Sequence, residues 1–386
     1  MTAPEETKAM NLRRIPRRAL LGAALAGPVF GAFGSAAQGP AASVSDRPGI
    51  APDPVFLAKA RTLLARAGAA DLHAHPGALF SMSAESPGAR VAADQVAADL
   101  KAGFVTSASF AAVADAPVLA MTPTGITVAR DFRPGEAQAD YQSQVATLKA
   151  AAKAGGIILL KSPKDLQTLV PGRDAGVFLT VEGGDFLEDE ISRLTGAFQD
   201  GVRCVTLIHY RPNALGDNQT SPPTHGGLTP LGAEAVREMN RLGLLIDVAH
   251  AAETTVRQVL ERSAAPILCS HTAIKSPAYD HPRFITAATA KAVAAAGGLV
   301  GAWPSGFGAV TFSDFVDRIF RLTEVVGPDH AALGTDMDGN YKPVMTRYAQ
   351  VPVLVSELLR RGYGEANAEK FIGGNFRRVW GQVWRG

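Results

Sequence analysis

The sequence predicts an α/β chain folded as a (β/α)8 TIM barrel with a metal site at the C-terminal ends of its strands. Three observations carry that prediction. Short apolar runs of β type alternate with helical patterns, as a parallel sheet covered by helices requires. Eight such runs suit the staves of a closed barrel, and 386 residues exceed the roughly 250 that such a barrel needs. The chain's scarce histidines also fall at the ends of these runs. His73 and His75 close the first, His209 the fourth, His250 the fifth and His271 the sixth; Glu182 and Asp336 end two more. Polar residues gathered at strand C-termini face the mouth of a barrel, where the fold keeps its chemistry.

Taken in order, the first residues read as an address. Arg13-Arg14-Ile15-Pro16-Arg17-Arg18 is a basic head, followed by an apolar run from Ala19 to Phe33. That run is shorter than the roughly 20 residues a bilayer span requires. Ser35-Ala36-Ala37 supplies small residues of the type a signal peptidase reads, and Arg17-Arg18 ahead of Ala19-Leu20-Leu21 resembles a twin-arginine signal. Residues 1–37 are therefore expected to be an export signal to the periplasm, with no stable membrane span in the mature chain. Residues 38–60 are a linker and N-terminal segment, rich in Ala, Pro, Gly and Ser up to Asp53. The barrel domain occupies 61–386, and a short amphipathic helix from Val55 to Gly68 leads to its first strand.

The staves are predicted near 69–75, 104–110, 176–182, 203–209, 244–250, 266–271, 298–303 and 331–336. Helices are predicted over 92–102, 137–154, 188–199, 230–242, 252–263, 287–296 and 312–326. The apolar run 157–161 reads as an extra edge strand or hairpin in the second connection. A doubly wound sheet would need a glycine-rich turn at one switch point, and no G-x-G-x-x-G follows the first strand.

A net charge of +2 without a basic stripe excludes a nucleic-acid surface. Two cysteines make no disulfide framework. Counting back from His271 and His209 by strand alternation turns Cys269 into the barrel and Cys204 toward the helices.

His73 and His75 lie two apart on one strand and so project from one face. Glu182 can bridge two ions through its two oxygens, and His250 and His271 can hold the second. Imidazole with carboxylate suits zinc or a similar divalent ion. Two such ions about 4 Å apart share a hydroxide and polarise a carbonyl together. Each of these residues alone reads as an ordinary core or loop residue, as His225, His281 and His330 do; the coincidence at strand ends is what points to metal.

Longer motifs carry a resemblance. Gly227-Leu228-Thr229-Pro230-Leu231-Gly232, Glu238-Met239-Asn240-Arg241-Leu242-Gly243 and Leu245-Ile246-Asp247-Val248-Ala249-His250 resemble the membrane (renal) dipeptidase family of the amidohydrolase superfamily. So do Val181-Glu182-Gly183-Gly184, Thr206-Leu207-Ile208-His209, Ser270-His271, His281-Pro282-Arg283, Gly334-Thr335-Asp336-Met337-Asp338-Gly339 and Gly373-Gly374-Asn375-Phe376. The motifs are in the family's order and cover roughly residues 68 to 380. The resemblance implies a zinc-dependent dipeptidase that cleaves the amide bond of small dipeptides or N-acyl amino acids through a metal-bridging hydroxide. It implies two divalent ions, most simply Zn2+, with Glu182 bridging, His250 and His271 on one ion and His73 on the other. His209 would stabilise the tetrahedral intermediate, Arg283 would pair with the substrate carboxylate, and Asp336 would hold the hydroxide and pass its proton to the leaving amine. A homodimer is the assembly it suggests.

The chain departs from the family's pattern at its first motif, which is His73-Ala74-His75 where His-x-Asp is usual. An imidazole there removes a negative charge from around the ions and makes them more electrophilic; a changed metal preference or a weakened first site are the alternatives, and a working ligand at His75 is favoured. Trp303 and Phe284 are also unusual and bear on substrate choice. Two rival functions follow: another amidohydrolase reaction on a lactone, cyclic amide or phosphoester, or a non-catalytic exported binding protein on the same barrel.

Overall fold

The computed structural model describes residues 51–386 apart from 84–85, 123–124 and 278. The export signal and most of the linker expected before the barrel lie outside the described residues. Helix α1 (Pro54–Ala67) starts where Asp53 accepts from the Val55 N–H at 2.8 Å, with Pro54 in the first turn. It leads into β1 (Ala69–Asp71).

Among the described residues a nine-stranded parallel sheet forms the wall. Its ring order is β1, β2 (Val105–Val113), β6 (Gly176–Glu182), β7 (Val202–Thr206), β8 (Leu245–Asp247), β9 (Leu268–Thr272), β10 (Leu299–Ala302) and β11 (Ala331–Leu333). The ring closes where Leu72 N–H donates to Leu333 O at 2.9 Å and Asp336 N–H donates to His73 O at 2.8 Å. The run at 157–161 contributes β5 (Ile158–Leu159), an extra edge strand paired with the start of β6 as expected. A hairpin of β3 (Leu119–Thr122) and β4 (Gly125–Val128) in the same connection was not anticipated.

Seven helices fall between the staves at the predicted places: α2 (Pro87–Ala102), α3 (Glu136–Ala154), α4 (Arg193–Asp200), α5 (Pro230–Leu242), α6 (Glu253–Arg262), α7 (Ala287–Ala295) and α8 (Phe312–Val326). In α8 the buried Phe312, Phe315, Val316, Ile319, Leu322 and Val326 recur at helical spacing, behind a capping box of Thr311 and Asp314. Two starts differ from expectation. Ser86 caps α2 and Pro87 opens it, five residues before the predicted start. Helix α4 begins only at Arg193, because Glu188 and Asp189 take left-handed φ of 43° and 67°. After β11 the chain adds α9 (Val351–Arg360), α10 (Glu365–Glu369) and α11 (Asn375–Val383), outside the regular alternation.

Two packed layers result. The larger lies between staves and helices. The smaller draws Ala70, Leu72, Phe178, Cys204, Leu245, Leu268, Leu299 and Ala332 from seven staves, so it is the barrel interior, and Phe376, Val379, Trp380 and Val383 of α11 plug it.

The cysteines are placed opposite to expectation. Cys204 packs in the interior and Cys269 in the outer layer. Alternation fails in both counts. On β9, Val300 pairs with Cys269 but Ala302 with Thr272, so an extra residue reverses the parity before His271. On β7 the strand ends at Thr206, three residues short of His209. Both thiols are free, as expected. Among the described residues no helix is long and apolar enough to cross a membrane.

Candidate metal centre

The other six residues singled out at strand ends gather around Glu182. This carboxylate ends β6, buried, and five imidazole Nε2 atoms surround it. His250 lies 3.0 Å and His73 3.2 Å from Oε1, with His271 at 3.7 Å; His75 and His209 each lie 3.3 Å from Oε2. Asp336 reaches His75 Nε2 at 3.5 Å. An open cleft above them is lined by Tyr210, Trp303, Asp338 and Gly339 as well as by members of the cluster.

The second nitrogens of these rings fix which atom faces inward. His75 Nδ1 lies 3.3 Å from Ala111 O, a carbonyl that only accepts, so Nδ1 carries the proton. Ser270 donates to Asp247 Oδ2 at 2.6 Å, so its oxygen accepts from His271 Nδ1 at 2.9 Å. His209 Nδ1 donates to Asp115 Oδ1 at 2.6 Å. The Nε2 lone pairs of His75 and His271 are thereby turned toward the cluster, the outer-shell pattern typical of metal-binding histidines. Asp247 is itself held by Thr206 Oγ1 at 2.7 Å and by the Ala249 and Ser270 N–H groups. Behind His73, Asp71 accepts from the His73 and Thr335 N–H groups and the Thr335 and Tyr348 hydroxyls.

The donor set fits a metal. His73 and His75 have Nε2 atoms 3.1 Å apart, and His250 and His271 3.0 Å. The edge of a tetrahedron with zinc–nitrogen bonds of about 2.05 Å is roughly 3.3 Å. Ligand atoms of His73, His75 and Glu182 lie within 4.8 Å of one another, as do those of Glu182, His209 and His250 and those of His73, His271 and Asp336.

Charge within the cluster is strongly polarised. Burial opposes ionisation of Glu182, but His209 and His73 outweigh it and hold its carboxyl well below the usual range. Burial would lower His73, yet Glu182 lifts it to about 9. Burial, aided by nearby cations, holds His250 and His271 well below the usual imidazole range, which suits neutral ligands. Asp336 is pushed up to about 6 by burial, with Glu182 adding and His75 opposing.

Backbone geometry serves the same cluster. His250 and Asp336 take left-handed φ of 66° and 52°, where non-glycine residues are strained. Gly339 is required: a Cβ there would come within 2.6 Å of His75 Cδ2 and 2.7 Å of Asp336 Oδ1.

Arg283 is buried, unlike a surface loop arginine, and donates through Nη1 to Gln219 Oε1. Its Nε and Nη2 have no partner among the described residues. Its guanidinium lies 5.2 Å from the ring centre of Trp303, which lines the cleft together with Tyr210, whose phenol feels the Arg283 charge. Asp115, Asp247, Asp71, Gly339 and Tyr210 were given no site role in the sequence reading. For Asp115 the signal was present: it lies just beyond a stave, but β2 runs to Val113 rather than 110 through the weakly apolar Ala111-Ala112. The loop histidines are placed as expected, His281 stacked on Phe307 and His330 bonded to Gly298 O.

The pattern of the membrane dipeptidase family, peptidase family M19, matches residues 57–385. The chain belongs to that family. The dipeptidase verJ of Clonostachys rogersoniana is 30% identical over 219 residues, which are 55% of this chain and 56% of that protein. Dipeptidase 3 of Rattus norvegicus is 32% identical over 216 residues, 53% of this chain and 44% of that protein. The chain thus spans about half the length of the curated relatives it matches. Two solved structures share the fold. The probable dipeptidase PvdM of Pseudomonas aeruginosa has a TM-score of 0.71 at 20% identity, over 85% of this chain and 98% of that one. A metallopeptidase of Rhodobacter sphaeroides, bound to a phosphinate mimic of L-Ala-D-Ala, gives 0.71 at 19% identity, over 82% and 99%. The membrane dipeptidase barrel is therefore the frame on which this cluster sits.

Proposed function

We propose that the protein is a metal-dependent dipeptidase that hydrolyses the amide bond of small dipeptides or N-acyl amino acids. The observation that carries the proposal is the buried Glu182 carboxylate ringed by five imidazoles, in a chain of the membrane dipeptidase family. Two divalent ions, zinc by the donor set, would be held by His73, His75 and Glu182 on one side and by Glu182, His250 and His271 on the other. When bound, such ions supply Lewis acidity to the scissile carbonyl and to water.

The chain's own groups complete the chemistry. Asp336 takes a proton from the attacking water and returns it to the amine nitrogen as the C–N bond breaks; a carboxyl near 6 suits that exchange at neutral pH. His209, doubly protonated with its Nδ1–H held by Asp115, donates from Nε2 to the carbonyl oxygen as the centre becomes tetrahedral. Arg283, with Nε and Nη2 unpartnered among the described residues, pairs with the free carboxylate of the substrate past Tyr210 and Trp303. His75 serves as a working ligand in place of the family's usual aspartate. Export to the periplasm by a twin-arginine route and assembly as a homodimer belong to the same reading. Replacing Arg17 and Arg18 by Lys should keep the protein in the cytoplasm on fractionation.

The first test is metal content per protomer together with a panel of L-X–D-Y and L-X–L-Y dipeptides. Two zinc equivalents with chelator-sensitive turnover are expected; one or none without turnover would sink the proposal. Arg283→Ala should raise KM for substrates with a free carboxylate. An equal effect on neutral esters would contradict its role.

A further inference from the structure

Asp115 is fully buried, two residues beyond the end of β2 and next to the cleft. Both of its oxygens are committed. Oδ2 accepts from the N–H groups of Tyr210 at 3.1 Å and Arg211 at 3.2 Å, while Oδ1 faces His209 Nδ1 at 2.6 Å. The strand-end turn after β7 thus grips one side of the carboxylate through its backbone and offers the His209 ring to the other. Arg211 is anchored in turn, its Nη1 lying 3.0 Å from Asp185 Oδ1, and Asp185 also accepts from Asn213 Nδ2 at 3.2 Å.

We propose that Asp115 is the positioning residue for His209: it fixes the rotation of the ring and assigns the proton to Nδ1, so that Nε2 meets the reacting centre. The inference rests on the dipeptidase reading for what His209 does, but the placement of the proton stands on geometry alone. A carboxylate held from behind by two backbone N–H groups cannot rotate away, so the ring has one partner and one orientation. Free rotation would let His209 present either nitrogen to Glu182.

Asp115→Asn tests this with little change of shape. The two backbone N–H groups still require an acceptor, so the amide oxygen stays on Tyr210 and Arg211 and the NH2 turns to His209. Nδ1 must then accept, so the ring keeps a proton on Nε2 alone and loses the positive charge that faces the developing oxyanion. Where a carboxylate orients a catalytic imidazole in serine proteases, the same substitution costs about 10⁴-fold in kcat.

The decisive measurement is 15N–1H NMR of histidine-labelled, zinc-loaded protein, with the His209 signals assigned through a His209→Gln variant. The wild type is expected to carry a proton on Nδ1 of His209, and Asp115→Asn to carry it on Nε2 alone. In the same protein, kcat on an L-X–D-Y dipeptide should fall at least about 10²-fold while KM moves less than about threefold. A wild-type His209 protonated only on Nε2 would overturn the proposal even if the variant failed to fold. So would an Asp115→Asn protein with wild-type kcat. If the wild type cleaves no dipeptide, the dipeptidase reading falls, and the NMR result still decides the role of Asp115.

Discussion

At the scale of single residues, the site turns on the protonation and placement of a few side chains. Asp336→Asn keeps the shape of the side chain and removes its proton exchange, so kcat should drop by about 10²-fold or more at unchanged zinc content. Full turnover in that variant would end the assignment. Gly339→Ala works from the other direction. Its Cβ would press on His75 and Asp336 together, and neither ring nor carboxylate has room to yield inside a buried cluster. Bound zinc is expected to fall below two equivalents, read by elemental analysis, with at least about a tenfold loss of kcat. Which residues form the centre was legible in the sequence, because a histidine or acid closing an apolar run has few structural reasons to be there. Their supporting acids were not. Asp115, Asp247 and Asp71 look like turn formers or strand residues until the chain is folded and their partners, drawn from distant segments, arrive.

At the scale of elements, the alternation of apolar runs and helical patterns revealed every stave, since each stave is buried on both faces. Ends were harder. Strands stop where backbone pairing stops, so β8 ends at Asp247 and His250 follows on a left-handed turn that no propensity announces. The single extra residue on β9 likewise leaves no mark in composition, yet it reverses which side chains point inward. Helix α11 lay outside the expected pattern altogether because its partner is the barrel interior rather than a neighbouring helix. It inserts Phe376 and Trp380 against Phe178, with ring centres 5.0 and 5.6 Å away. Trp380→Ala should therefore destabilise the protein by about 3–5 kcal/mol in urea unfolding, as the loss of a large core side chain does. A change below about 1 kcal/mol would mean that α11 does not seal the interior.

At the scale of the whole molecule, the cluster joins staves that are far apart in sequence. His73 comes from the first, Glu182 from the third, His250 and His271 from the fifth and sixth, and Asp336 from the last. Metal bound there ties these staves together and must stabilise the folded barrel by linkage. Stripping zinc with a chelator should lower Tm by about 5 °C or more, and adding zinc back should restore it. An unchanged Tm would argue that the cluster does not hold metal. The strained turns at His250 and Asp336 bear on how such a protein drifts. Both positions take a backbone conformation that glycine adopts freely. A library selected only for heat tolerance, with no demand for turnover, should gather glycine at 336 early and keep His250, whose loss would forfeit the zinc that ties the staves together.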